Sequence, residues 1–293
     1  MAGSGQIRQL KRRIKSVQST QKITRAMEMI AASRILRAQA RVRAARPYAE
    51  GIHDIIRGLA VSHEVREHPL LVEREVEHVA VIVNTSDRGL AGAYNANVLK
   101  AAERTIAEEE AAGRRVDLYT VGKKGAAYFA YRGRRPTEVW EGVADTPQID
   151  DAGDVAETVM ARFRAGELDR VWLVYTAFKS SLTQSPVRME LLPVKPAEFE
   201  GDGQHIDPEF IFEPDRASLL DSLIPRYVEA KVFHGLLESS ASEHASRQRA
   251  MKAATDNAKE VAANLSRIMN QARQEQITTE ITEIVGGAEA LSH

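Results

Sequence analysis

The sequence predicts an α/β protein in which the N- and C-terminal helices form a long antiparallel coiled coil and an α/β domain is inserted between them. Three observations carry this fold class. Residues 6–46 hold no Gly or Pro and repeat apolar or small residues every three or four positions. The middle of the chain alternates short β-branched runs with helical stretches. The helical pattern then returns at Asp215 and holds for about seventy residues, which at 1.5 Å each is roughly 105 Å of helix. A single inserted domain cannot wrap a helix of that length, so its partner must be the other long helix.

The N-terminal helix, residues 1–60, is justified by its seam. Ile7, Leu10, Ile14 and Val17 are followed by Thr24, Ala31, Ile35, Ala38 and Val42. A stripe this narrow, repeating near 3.5 residues, belongs to a coiled coil rather than to a helix on a broad core. Pro47 would stop or kink a helix, but Tyr48, Ile52, Ile55, Ile56 and Leu59 continue the stripe, so one helix with an irregularity at 47 is expected. Within it, the stretch QKITRAMEMIAASR (21–34) reads as a helix with Met27, Met29, Ile30 and the alanines on a buried side and its Lys and Arg elsewhere.

The insert spans 75–195. Strands are expected at 76–84, 114–122, 170–178 and 187–194, and helices at 97–112, 124–131 and 151–165. Strands alternating with helices at this spacing predict a mostly parallel sheet in a Rossmann-like α/β domain. Residues 196–214 read as a linker, and the C-terminal helix, 215–286, pairs with 1–60. Its early part is apolar (Leu219, Leu220, Leu223, Ile224, Val228, Val232, Phe233, Leu236, Leu237), with Pro225 marking either a kink or the true start. The seam then thins to Ala241, His244, Gln248, Met251, Thr255, Ala258, Ala262, Leu265, Met269 and Ala272. Small residues let two backbones approach, but each large residue replaced gives up about 1–2 kcal/mol of burial. Such a rod is built to be slim and surrounded rather than to be stable alone.

The 293 residues carry 40 basic and 41 acidic side chains, a net charge of −1, unevenly spread. Residues 1–46 hold twelve Lys and Arg against Glu28, whereas 196–230 hold nine acids against Arg216 and Arg226. A chain polarised in this way expects a charged partner or neutralises itself on folding. With no cysteine, disulfides, thiolate catalysis and thiol switches are excluded. The start, MAGSGQIRQLKRR, is polar and basic and is not a secretory signal. Apolar runs such as VAVIV (79–83) are far short of the roughly 20 residues that span a bilayer, so any work at a membrane passes through partners.

No catalytic constellation emerges. SDRGLAG (86–92) lies between a strand and a helix, where α/β domains bind ligands, but it lacks the spacing of a nucleotide loop, and a glycine turn into a helix is the simpler reading. GKKG (122–125) could hold an anion at a helix start or be a solvated turn. The eight histidines are scattered without metal-ligand spacing. Thr183 and Ser185 offer hydroxyls without a base at recognisable spacing. The basic N-terminal helix leaves open an acidic protein surface (or, as a variant, an anionic membrane surface), a solvated face, or a free-standing coiled-coil scaffold or nucleic-acid-associated protein that uses its charge. Against nucleic acid stand an apolar seam that needs a protein partner and the lack of stacking aromatics before Tyr48.

Longer motifs add a resemblance. QKITRAMEMIAASRILRAQ (21–39), ASEHASRQRAMKAATDNAKE (241–260), ITTEITEIVGGAEAL (277–291, closing on Gly287 and Ala288) and SDRGLAGAYNANV (86–98) resemble the gamma subunit of F-type ATP synthases, in register across essentially the whole chain. The resemblance implies a non-catalytic central rotor shaft with no cofactor. It implies partners in three alpha and three beta subunits, epsilon and the membrane ring of c subunits, with no nucleic acid and membrane contact through partners only. It places the protein on the cytoplasmic face of a bacterial plasma membrane. It also implies that Lys22, Arg25, Met27, Arg247, Arg273, Gln274, Thr278 and Glu280 contact the hexamer, with residues 21–34 facing the acidic lower lobes of the beta subunits. The chloroplast-type thiol switch is impossible here, and Ala91 stands where many relatives carry a cysteine.

Overall fold

The computed structural model describes residues 2–59, 68–195, 199 and 216–291. Ten elements follow in order: α1 (Ala2–Leu59), β1 (His78–Asn84), α2 (Tyr94–Ala111), β2 (Arg115–Val121), α3 (Lys123–Tyr131), β3 (Glu138–Trp140), α4 (Ile149–Arg164), β4 (Arg170–Phe178), β5 (Gln184–Leu192) and α5 (Arg216–Leu291). The expected linker at 196–214 lies outside the described residues, apart from Phe199. The chain divides into two compact units, unit 1 with residues 1–31 and 248–293 and unit 2 with residues 32–247.

Unit 1 is an antiparallel pair of helical segments closed by the thin seam. Leu10, Thr24, Ala31, Met251, Thr255 and Ala262 are buried, and Ile7, Ile14, Val17, Ala258, Leu265, Met269 and Ala272 are half-buried. At its centre the Thr24 and Thr255 hydroxyls meet at 2.8 Å, and Thr255 also donates to the Met251 carbonyl at 2.8 Å. The expected buried side at 21–34 is corrected: Met27 is half-buried, while Met29 and Ile30 are exposed. In unit 2 the same correction applies to Tyr48 and Ile55, which are exposed, whereas Ile52 and Ile56 are buried.

Unit 2 is built on a five-stranded sheet of order β3-β2-β1-β4-β5. β1 pairs parallel with β2 and β4, β2 parallel with β3, and β4 antiparallel with β5. Central β1 is apolar on both faces, as a strand covered on both sides must be. One face carries Val79, Val81 and Val83 against Val98, Leu99, Ala102 and Ile106 of α2. The other carries Ala80 and Ile82 into the main core, with Val155, Val159, Met160 and Phe163 of α4, Ile52 and Ile56 of α1, and Ile224, Val228 and Val232 of α5. α4 starts at a capping box in which Asp151 accepts from the Gln148 backbone N–H at 2.7 Å. Sequence periodicity missed β3, whose three residues are too few to alternate, and started α2 three residues late. Both prolines, Pro47 and Pro225, lie inside continuous helices. Each removes a backbone bond, and packing of neighbouring turns (Ile52 and Ile56, Ile224 and Val228) holds the helix.

Candidate functional site

In a sheet of this order, ligands bind beyond the carboxyl ends of the strands where the order reverses, here between β1 and β4. In this chain that crevice is filled from within. After β1, Thr85 donates to the Val121 carbonyl at 3.0 Å and accepts from the Gly125 N–H at 2.8 Å. Gly122 has φ 93°, and a Cβ there would stand 2.2 Å from the Thr85 carbonyl oxygen, so only glycine lets the β2–α3 turn approach. The Asp87 carboxylate accepts from the backbone N–H groups of Lys123 (3.2 Å), Gly142 (3.0 Å) and Ala144 (3.3 Å). The anion seat at the start of α3 is thus occupied by the chain's own carboxylate. The GKKG segment is a structural turn, with the Lys123 ammonium 3.4 Å from Glu141.

α5 closes the rest of the crevice. Ser239 accepts from the Thr176 N–H and Ser242 donates to the Thr176 carbonyl, both at 3.1 Å. One turn further, buried Arg247 pairs with buried Glu243 and donates to the Gly89 carbonyl at 3.3 Å. The second Glu243 oxygen has no partner among the described residues, and burial holds this carboxyl above its ordinary range despite the Arg247 charge. His244 stands between Arg247 (3.4 Å from Nδ1) and Asp145 (3.7 Å from Nε2). Burial pushes its pKa down to about 4, with Asp145 opposing and Arg247 and Arg34 assisting. The ring is therefore neutral near pH 7, with Nδ1 free to accept from Arg247. The crevice is thus lined by helix α5 and internal ion pairs. Among the described residues, no three His, Asp or Glu side chains come together as a metal set.

Seven of the eight residues that the resemblance points to lie on unit 1. Lys22 and Arg25 are exposed on α1, and Met27 is half-buried beside the seam. Arg273, Gln274, Thr278 and Glu280 are exposed on α5, where Thr278 donates to the Gln274 carbonyl at 3.0 Å and Glu280 accepts from Gln276 at 2.8 Å. Six of these seven line open helix surface, and Met27 lies at its edge. Arg247 is different: it belongs to unit 2 and is buried in the network just described.

Two features escaped the sequence reading. Asp87 and Asp145 are hubs whose partners lie far away in the chain. The other is an apolar stripe beyond the end of the seam, Ile277, Ile281, Ile284 and Val285, each 44–72 % exposed. Its spacing of four, three and one is a helical face, legible as such but absorbed into the C-terminal motif. None of the described helices is long and apolar enough to cross a membrane.

A family profile described as ATP synthase matches residues 6–291. The chain is 47 % identical to the ATP synthase gamma chain of Saccharopolyspora erythraea, over 98 % of each chain, and 47 % identical to that of Frankia casuarinae, over 99 % of each. It is 46 % identical to the gamma chain of Mycolicibacterium gilvum, over 98 % of each. Among solved structures, the fold is similar to a chain in the central stalk and c-ring of the Tetrahymena thermophila mitochondrial ATP synthase (TM-score 0.62, 24 % identity, 79 % of this chain and 99 % of that one). It is also similar to a chain in the rotor of the Euglena gracilis mitochondrial enzyme (TM-score 0.64, 16 % identity, 94 % of this chain and 99 % of that one).

Proposed function

This chain belongs to the ATP synthase gamma chain family, and we propose that it meets the rest of that machine through two surfaces of different chemistry. It is the central rotor shaft of a bacterial ATP synthase, a peripheral subunit that makes no bond itself and couples rotation to the conformational cycle of the catalytic subunits. In our reading, unit 1 stands inside a hexamer of three alpha and three beta subunits, and the insert meets epsilon and the c-ring on the cytoplasmic side. The observation that carries this reading is the stripe Ile277, Ile281, Ile284 and Val285, apolar and open on a helix that has run past its seam. An apolar face of that kind is covered in the working assembly.

The polar positions have the complementary task. Lys22 and Arg25 face acidic surfaces of the beta subunits, and Arg273, Gln274, Thr278 and Glu280 make hydrogen-bonded contacts that form and break at each step of rotation. Met27 slides at the seam edge without a fixed hydrogen bond. Contacts of this polar kind suit a shaft, because a deep apolar interface all along it would trap one angle. Arg247 acts from within, holding the 88–90 turn, where Leu90 is 62 % exposed with φ 63°. We read the insert, 75–195, as Rossmann-like, flanked by helical domains at 1–60 and 215–286 and a linker at 196–214. The strand order supports this, and antiparallel β5 is the departure from it.

Native mass spectrometry of the complex that co-purifies with a tagged chain tests the proposal. One copy of this chain among three copies each of two larger subunits is expected. The chain alone, in a homo-oligomer or on nucleic acid, from a preparation that keeps other membrane complexes intact, overturns it.

A further inference from the structure

Between β3 and α4 the loop 141–148 touches three parts of unit 2 at once. Asp87 holds it to the turn after β1 through the Gly142 and Ala144 N–H groups. From α1, Arg34 donates to both oxygens of Asp145, at 2.8 and 2.5 Å. About two helical turns later, Arg41 donates to the Pro147 carbonyl at 2.5 Å and to the Gln148 side chain at 3.3 Å. From α5, Ser240 donates to the Asp145 carbonyl at 3.0 Å, and buried His244 places Nε2 3.7 Å from its carboxylate. One residue of the insert therefore receives groups from both long helices.

The apolar core also joins these helices to the sheet, through Ile52, Ile56, Ile224 and Val232. Apolar packing is non-directional, whereas the charge-assisted hydrogen bonds from one Arg34 nitrogen to the Asp145 carboxylate have a direction. We propose that Asp145 is the positioning residue that locks the insert against both shaft helices, so that a twist applied to one is delivered to the other without slip. The inference rests on the rotor assignment and adds to it the place within unit 2 where torque crosses from insert to helix pair. Asp145 touches no reacting atom, and it acts through Arg34, Ser240 and His244. The loop is tied at its other end by Asp87, so the lock reaches the sheet itself.

The experiment uses the whole complex, anchored through its hexamer, with a bead on the insert. Tyr131 is 92 % exposed and the chain has no cysteine, so Tyr131→Cys gives this chain one attachment point, used with the other subunits stripped of reactive cysteines. The readout is the angular variance of the bead with nucleotide-locked catalytic subunits, alongside unloaded ATP hydrolysis. Asp145→Asn should raise the variance about twofold, because the charged tie to Arg34 ends on this carboxylate, and leave unloaded hydrolysis at the parent rate. Ser240→Ala, a deletion too small to threaten folding, should raise it less. The exchanged pair Arg34→Asp with Asp145→Arg should bring the variance back toward the parent, which loss of folding could not do. Variance equal to the parent in both Asp145→Asn and Ser240→Ala overturns the proposal. A parent bead that never turns with ATP overturns the rotor assignment instead, and this inference with it.

Discussion

Between Leu220 and Leu236, α5 buries Ile224, Val228 and Val232 in the main core of unit 2. Between Gln248 and Ala272, the same helix buries only Met251, Thr255 and Ala262 in unit 1. The first stretch has a sheet, α4 and α1 around it, and the second has one partner helix. Buried area differs accordingly, and with it the free energy that keeps each region folded. Unit 2 is held by its own core, whereas unit 1 has a thin seam. In the proposed assembly this division suits a shaft, since a part that turns inside a ring must be thin and a part that is pushed must be firm.

The largest effect that sharpens the comparison belongs to unit 2. Phe163→Ala, in the centre of the main core and fully buried, should cost about 3–5 kcal/mol in urea unfolding of the free chain. Arg247→Met should cost about 3 kcal/mol, because it strands the Glu243 carboxylate in the interior. Adding Glu243→Leu should recover most of that loss by removing the stranded group.

Acid should reveal the next effect. His244 is neutral when folded, with a pKa near 4 against 6.5 when free. Its contribution to stability is fully present above pH 6.5 and is lost as pH falls toward 4, by up to about 3 kcal/mol. The raised carboxyl of Glu243 acts with the opposite sign above its ordinary range. The His244 contribution is therefore read as the difference between parent and His244→Gln across this window, with the variant losing less on acidification. In unit 1 the effect is smallest. Thr24→Val or Thr255→Val should each cost about 1 kcal/mol by removing the hydrogen bond between the two hydroxyls, and the double variant less than their sum. Larger losses in unit 1 than in unit 2 would break the comparison.

The same contrast explains what could be read in the sequence. The seam was legible to the residue: every position from Ile7 to Val42 on one helix and from Ala241 to Ala272 on the other is buried or half-buried. The seam residues of unit 1 face one partner helix, so a simple period describes them. Met29 and Ile30 misled because an apolar residue on an exposed helix face has the same composition as one in a core. The crevice was opaque for another reason. Asp87 is bound to backbone groups 36 to 57 positions away, and Asp145 to Arg34 at a separation of 111. Nothing local in SDRGLAG tells a carboxylate that fills an anion seat from one that lines it. For the exposed positions Lys22, Arg25, Arg273 and Glu280, motif resemblance alone suggested a role, since an open helix surface has no internal geometry to mark it.

Hydrogen exchange on the free chain and on the assembled complex, compared peptide by peptide, tests the account most directly. Amides of residues 2–31 and 248–287 should exchange quickly in the free chain and be strongly protected in the complex, with the Ile277–Val285 stretch gaining most. The sheet and α4 should be protected alike in both. Equal protection of the helix pair in the free chain and the complex would mean that the thin seam is stable by itself, and would contradict the claim that unit 1 is completed by its surroundings.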